Sequence, residues 1–335
     1  METLRLRDDA KGIETAAEII KNGGVVAIPT ETVYGLAANA YDENAVNKIF
    51  IAKGRPQDNP LIVHTCNLDM TKQIVDDFSV DAKKLAQKFW PGPLTIILKR
   101  GRKIPSSVSA GLDTVAVRMP SNQVARKLIE VSGLPLAAPS ANLSGSPSPT
   151  TAEHVLKDLD GKIDAVIMSE PCIVGVESTV VTLAGHPYKI LRPGFVTHEE
   201  IAEILPETLV DKAVLQELKN DETAASPGMK YKHYSPKAEV YLVEGDKELF
   251  CNFANGKQGV AVCFDEDLNN LKIKAVSYGK EKDAKTQAKS IFAILRKVDE
   301  MGARTVYVHA PKKEGIGLAV YNRLIRAAAF KVISL

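Results

Sequence analysis

With 335 residues, 45% of them hydrophobic and 25% charged, the chain has the make-up of an ordinary soluble globular protein and the length of two domains rather than one. Lys and Arg number 43 against 41 Asp and Glu, and a net charge of +2 is too small for a protein that wraps nucleic acid by bulk electrostatics, so any basic site is local. The cysteines Cys66, Cys172, Cys251 and Cys263 form no C-x-x-C pair, which argues against a zinc site or a disulfide framework; with no signal-peptide core and no run of ~18 apolar residues, a cytoplasmic protein without membrane contact is expected.

In chain order, GVVAIP (24–29) reads as a strand, and PTETVYGLA places Thr32 just past its end. There a side chain either enters a pocket at the sheet's carboxyl edge or makes a turn. DENAVNKIFIAK (42–53) reads as a helix capped by Asp42. In KGRPQDNPLIVH, Lys53 and Arg55 stand two apart, and on an extended chain that spacing puts both cations on one face. Arg offers a planar fork and Lys a point charge, a pairing suited to phosphate; the alternative is a solvated basic turn. The strand PLIVHT (60–65) carries His64, either a core histidine or a pocket residue.

SVDAKKLAQKFW (79–90) reads as a helix capped by Ser79, followed by the rigid turn WPGP and the strand PLTIIL (93–98). TVAVRMP (114–120) buries Arg118 in an apolar strand, which demands a salt bridge or a ligand. SNQVARKLIEVSG (121–133) reads as a helix capped by Ser121, and LPLAAPS (134–140) as a strand. In PSANLSGSPSPTT, Ser140 and Asn142 repeat the two-residue spacing, and Ser144, Gly145, Ser146 and Ser148 add hydroxyls and close N–H groups ahead of a helix from Thr150 or Thr151. Such a loop suits phosphate or ribose, or is a plain Ser/Pro/Gly turn. DAVIMS (164–169) and STVVTL (178–183) are further strands; Glu177, Ser178 and Thr179 lead into the second, and LRPG (191–194) ends another with Arg192. Several runs are continuously apolar, so a mixed twisted sheet buried on both faces is expected.

After about residue 208 the pattern weakens, and residues 218–240 read as a linker. AEVYLVEG (238–245), GVAVCF (259–264), a long helix (283–302), TVYVHAP (305–311) and a last helix (317–329) then predict a small parallel α/β domain of Rossmann-like type. No Walker A motif occurs, GIGLAV lacks the third glycine of a dinucleotide fingerprint, and HEEIAE lacks the second histidine of H-E-x-x-H.

Together PTETVYGLA, KGRPQDNPLIVH, FWPGPLT, VAVRMP, PSANLSGSPSPT, GVESTVV and LRPG resemble the YrdC-type threonylcarbamoyl-AMP synthases over about residues 10–205, and SPGMKYKHYSP with the following α/β domain resembles the long form of that family. The resemblance implies a YrdC-like catalytic domain (1–210) with helices around a concave basic site, a linker that is a candidate lid (211–237) and a C-terminal α/β domain (238–335). It implies the reaction of L-threonine, bicarbonate and ATP, with Mg²⁺, to L-threonylcarbamoyladenylate and diphosphate, for use by a separate transferase that modifies tRNA beside the anticodon.

Carried over by the same resemblance, Lys53, Arg55, Ser140 and Asn142 would hold phosphates and the carboxylated intermediate. Asn59, Thr114, Ser148, Arg192 and Tyr234 would contact the nucleotide, and Thr32, His64, Arg118, Ala138 and Ser178 would form the threonine pocket. Thr182 follows the S-T-V-V element where the family pattern commonly has an acid. An RNA-binding, translation-associated protein is the competing reading; near-neutral charge and the lack of an aromatic RNA-binding signature argue against it.

Overall fold

The computed structural model describes residues 2–217 and 234–335. The elements of the first part run β1 (Leu4–Arg7), α1 (Ala10–Lys21), β2 (Val26–Ile28), β3 (Gly35–Asn39), α2 (Glu43–Lys53), β4 (Ile62–His64), α3 (Leu68–Ile74), α4 (Val80–Phe89), β5 (Leu94–Lys99), α5 (Ser106–Ser109), β6 (Thr114–Arg118), α6 (Gln123–Ser132), β7 (Leu136–Ala137), α7 (Ala152–Leu159), β8 (Ala165–Met168), β9 (Thr179–Thr182), β10 (Lys189–Arg192), α8 (His198–Ala202) and β11 (Leu209–Val210). The second part follows as β12 (Glu239–Glu244), α9 (Lys247–Asn255), β13 (Val260–Cys263), β14 (Lys274–Ser277), α10 (Ala284–Glu300), β15 (Thr305–His309), α11 (Gly315–Ala327) and β16 (Val332–Ser334).

Short polar side chains start the helices. Asp42 caps α2 through Asn44 N–H and Ser79 caps α4 through Ala82 N–H, as expected. The cap of α6 is Asn122, which accepts from Ala125 N–H, rather than Ser121; the helix begins one residue later than the serine would allow. Thr151 caps α7, at the end of the Ser-rich loop.

The first sheet orders its strands β1-β8-β2-β3-β7-β4-β6-β5-β9-β10-β11 among the described residues and mixes parallel with antiparallel pairs. Branched and aliphatic side chains such as Val63, Ile96, Val117 and Val181 are buried in it, and α2, α4 and α7 cover one core. The parallel pairing of β4 with β6 sets His64 beside Arg118, and the antiparallel pairing of β5 with β6 sets Thr95 on the other side of Arg118. Thr182 ends β9, and its hydroxyl accepts from Ala184 N–H to close a turn.

The second sheet, β14-β13-β15-β12-β16, pairs wholly in parallel, as the C-terminal pattern predicted. It packs back on the first part through α10 and α11. Val33, Val174 and Val176 share one core with Phe292, Leu295 and Leu324. Gly175 makes this approach fit: its φ is +84° and a Cβ there would stand 2.3 Å from Lys289 Cα. Arg296 of α10 grips Asp158 of α7 with both ends of its fork, at 3.0 and 2.7 Å, and also donates to Pro147 O. No helix among the described residues is long and apolar enough to cross a membrane.

Candidate active site

The expectation that Lys53 and Arg55 alternate on an extended chain is corrected by the fold. Lys53 is the last residue of α2 and Gly54 caps it in the left-handed region at φ +58°, so the turn, not strand geometry, sends both side chains the same way. Lys53 is buried, and its ammonium donates to Ser140 O, to Asn142 O at 2.5 Å and to Asn142 Oδ1 at 3.3 Å. It is thus committed to the Ser-rich loop. Burial, with Arg55 beside it, drives the Lys53 pKa well below the usual lysine range. Ser140 Oγ donates to Asn142 Oδ1 at 2.6 Å, while Asn142 Nδ2 donates to Leu143 O and Ser146 O and shapes the loop.

Among the described residues Arg55 makes only long hydrogen bonds, Nη2 to Asn59 O and Pro60 O, both at 3.3 Å. Burial pushes its pKa down to about 10, so it keeps its charge at neutral pH. Arg192, at the end of β10, donates Nε to Ser178 O and Nη2 to Ser178 Oγ, both at 3.0 Å. Both guanidinium groups line a cavity of about 60 Å³, with Lys53, Ser140, Asn142 and Tyr234 in the same wall.

The five residues read as a threonine pocket, Thr32, His64, Arg118, Ala138 and Ser178, line the same cavity. Thr32 sits in the turn after β2, His64 and Arg118 end adjacent parallel strands, Ala138 follows β7, and Ser178 precedes β9 and shares a 2.8 Å hydrogen bond with Thr95. Arg118 is held by protein groups: its Nη1 donates to Thr32 Oγ1 at 2.9 Å and its Nε to Gly92 O at 3.3 Å, while its Nη2 lies 2.7 Å from Glu31 as an ion pair without hydrogen-bond geometry. Burial pushes the Glu31 carboxyl up, and the adjacent guanidinium more than reverses this, so it titrates below its usual range. Burial, with help from the Arg118 charge, drops His64 to about 3, leaving a neutral imidazole whose Nδ1 has no hydrogen-bond partner among the described residues.

Three expected nucleotide contacts lie outside the lining. Ser148 is buried and donates to Glu177 Oε1, so its hydroxyl is spent inside the protein. Asn59 is buried with its carbonyl turned to Arg55. Thr114 begins β6, opposite Lys99, roughly 13 Å of strand away from Arg118 at the other end.

Two acids at the site carried no assignment from the sequence, Glu31 and Glu177. The burial of Arg118 in an apolar strand was the signal for the first; for the second, only its place in GVESTVV. Glu177 lines the cavity and is held by Ser148 and by Arg323 of α11, whose Nε donates to Glu177 Oε2 at 2.7 Å. Tyr234, at φ +63°, lays its ring 5.2 Å from that of Phe292, with the Arg323 guanidinium 5.5 Å from its centre.

A cavity lined by Arg55, Arg192 and the Glu31-paired Arg118, with Glu177 already held by Arg323, has the make-up of an anion-binding site in an α/β enzyme of YrdC type. Comparison with known proteins agrees. A family model covering Sua5, YciO and YrdC proteins, described as "Telomere recombination", matches residues 18–194, and one described as "Threonylcarbamoyl-AMP synthase, C-terminal domain" matches residues 196–329. The threonylcarbamoyl-AMP synthase of Pyrococcus abyssi is 43% identical over 98% of both chains, and that of Bacillus subtilis 42% identical over 96% of this chain and 94% of its own. The crystal structure of P. abyssi Sua5 complexed with L-threonine superposes with a TM-score of 0.89 at 42% identity, covering 100% of this chain and 99% of that one. The chain belongs to the threonylcarbamoyl-AMP synthase family.

Proposed function

We propose that this cavity joins L-threonine, bicarbonate and ATP into L-threonylcarbamoyladenylate and diphosphate, releasing water. The observation that carries the reading is the convergence of Arg55 and Arg192 with Thr32, His64, Arg118, Ala138 and Ser178 on one cavity, in a chain whose relative was solved with L-threonine. The enzyme is a nucleotidyltransferase of tRNA processing.

The chemistry follows from the residues. The neutral amine of threonine attacks bicarbonate or CO₂ and gives a carbamate; a carbamate oxygen then attacks the α-phosphorus and diphosphate leaves with its bonding electrons. No side-chain nucleophile is required. Arg55 and Arg192 offset the charge that builds on the phosphates and the leaving group, and Lys53 fixes the loop that carries Ser140 and Asn142. The neutral His64 and the paired Arg118 form a wall that keeps its shape and charge while threonine binds. Among the described residues no group of three or more carboxylate, imidazole or thiol side chains is placed to hold a metal ion, so Mg²⁺ would travel on the triphosphate.

A cavity of about 60 Å³ is far smaller than the roughly 300–1,000 Å³ of a ligand site, and Tyr234 lines it. Tyr234 of the linker (211–237), between the catalytic part (1–210) and the C-terminal part (238–335), is the candidate lid residue of this cavity. Residues 218–233 of that linker lie outside the described residues. The product passes to a cytoplasmic transferase acting on tRNA.

The test is diphosphate release with each substrate omitted in turn, with the product identified by mass spectrometry. Release should need both threonine and bicarbonate and give the threonylcarbamoyl adenylate. Equal turnover without threonine overturns the reading.

A further inference from the structure

Arg323 stands in α11, far along the chain from the catalytic motifs and in the other sheet's domain, yet it is fully buried and bound to Glu177 of the cavity lining. Its Nε reaches Glu177 Oε2 at 2.7 Å, its Nη2 reaches Glu177 O at 3.4 Å, and its Nη1 is bound by Asn322 Oδ1 at 2.7 Å. Asn322 is tied in turn to Val214 O at 2.6 Å. The other carboxylate oxygen of Glu177 accepts from Ser148. Both oxygens are therefore occupied by residues that do not line the cavity.

What Glu177 would otherwise do is set by its neighbours. The next residue, Ser178, is the one Arg192 holds through both its carbonyl and its hydroxyl, so Glu177 and Arg192 are adjacent members of the lining. Lys53 and Tyr234 line the same cavity and feel the charge of the same carboxylate. Burial pushes the Glu177 carboxyl up, but the charges of Arg323 and then Arg192 hold it below its usual range, so a carboxylate released from Arg323 would turn to Arg192, and that pairing would cancel the charge available to an anionic ligand.

Resting on the function proposed above, we infer that Arg323 is a positioning residue of the catalytic site, lent by the C-terminal domain: it holds the Glu177 carboxylate off Arg192, leaving that guanidinium for the triphosphate. The C-terminal domain is then a part of the nucleotide site. A buried ion pair is poor evidence for stability by itself, since desolvation offsets much of the attraction, and its placement is better explained by the arrangement it enforces.

The experiment uses the full chain and three variants, Arg323→Met, Arg323→Lys and the double variant Glu177→Gln with Arg323→Met. Binding of a non-hydrolysable ATP analogue by calorimetry is read beside steady-state kinetics and melting temperature. Arg323→Met should weaken analogue binding and raise KM for ATP by roughly tenfold to a hundredfold, with a smaller change in kcat. The defect should shrink as pH falls and Glu177, sharing the cavity with Arg192, Lys53 and Tyr234, takes a proton. Arg323→Lys should lie between, and the double variant should recover most of the binding because the stray charge is gone. A double variant as impaired as Arg323→Met, or a loss confined to kcat, overturns the inference. Should Arg323→Met fail to fold, the lysine and double variants decide by the same measurements. Analogue binding needs no turnover, so it is judged separately: wild-type protein that binds the analogue but makes no threonylcarbamoyl product refutes the proposed function and leaves this comparison intact.

Discussion

Arg118 and Glu31 meet at 2.7 Å with 4% and 3% of their side chains exposed, and Thr32 and the Gly92 carbonyl take the arginine's other two nitrogens. Of the two partners that a buried Arg118 demands, a salt bridge or a ligand, the salt bridge is present inside the protein. Removing one partner of such a pair leaves the other charge buried and alone. Glu31→Ala should therefore cost about 3–5 kcal/mol of folding stability, read as a shift of the urea midpoint. A midpoint matching wild type would mean that the pair is not formed in solution.

His64 makes an acid-sensitive element. Its folded-state pKa lies at about 3 against an ordinary 6.5, so between those values the unfolded chain binds a proton that the folded one refuses. Stability from this group is complete above pH 6.5 and falls as the solution is acidified toward 3. Between roughly pH 6.5 and 4.5 the loss should reach about 2–3 kcal/mol. His64→Asn should flatten that stretch of the curve, whereas Glu31, whose pKa is lowered from an ordinary 4.5, contributes only below it. An unchanged slope in the variant would contradict a neutral buried imidazole.

Lys53 and Arg55 should separate under substitution although they are neighbours. Lys53→Met leaves the carbonyls of Ser140 and Asn142 without their donor and should destabilise by about 1–3 kcal/mol, with activity lost as the loop loosens. Among the described residues Arg55→Ala breaks only two hydrogen bonds of 3.3 Å, so stability should change by less than about 1 kcal/mol while diphosphate release disappears. Calorimetric melting beside the release assay distinguishes them. Equal melting losses would place Arg55 in the scaffold instead.

Gly175 controls the docking of α10. Its φ of +84° disfavours any side chain, and a methyl group 2.3 Å from Lys289 Cα forces the helix away. Gly175→Ala should destabilise by about 1–3 kcal/mol or more, read as a shift of the urea midpoint. A midpoint identical to wild type would show that the contact yields without cost.

Much of the architecture was legible because the local signals agree with the global fold. The strands through Ile62, Leu94, Thr114 and Thr179 and the helices capped by Asp42 and Ser79 stand where hydrophobic period and capping chemistry put them. β3 was missed since GLAAN carries no β-branched residue; its pairing with β2 and β7, not its propensity, makes it a strand. The site was legible as a set of motifs, and most of those residues do share a cavity. Ser148 and Thr114 show the limit. A serine in a Ser-rich loop can donate outward or to a buried acid, and Glu177 decides that it turns inward. Thr114 stands on the strand that carries Arg118 to the cavity, at its opposite end and outside the lining.

By itself the chain determined its division into a mixed and a parallel sheet, the caps Asp42, Ser79 and Thr151 of α2, α4 and α7, and the residue types that an anion-binding site needs. Those depend on interactions within a few residues or on the two- and 3.6-residue periods. Only the tertiary structure decided which charges remain available. Arg118 is matched by Glu31, Lys53 by carbonyls 87 and 89 residues away, and Glu177 by Arg323 from the other domain at a separation of 146 residues. Such pairings join segments with no shared period or motif. They form because a buried charge must find a partner in three dimensions, and only the folded chain shows which one it found.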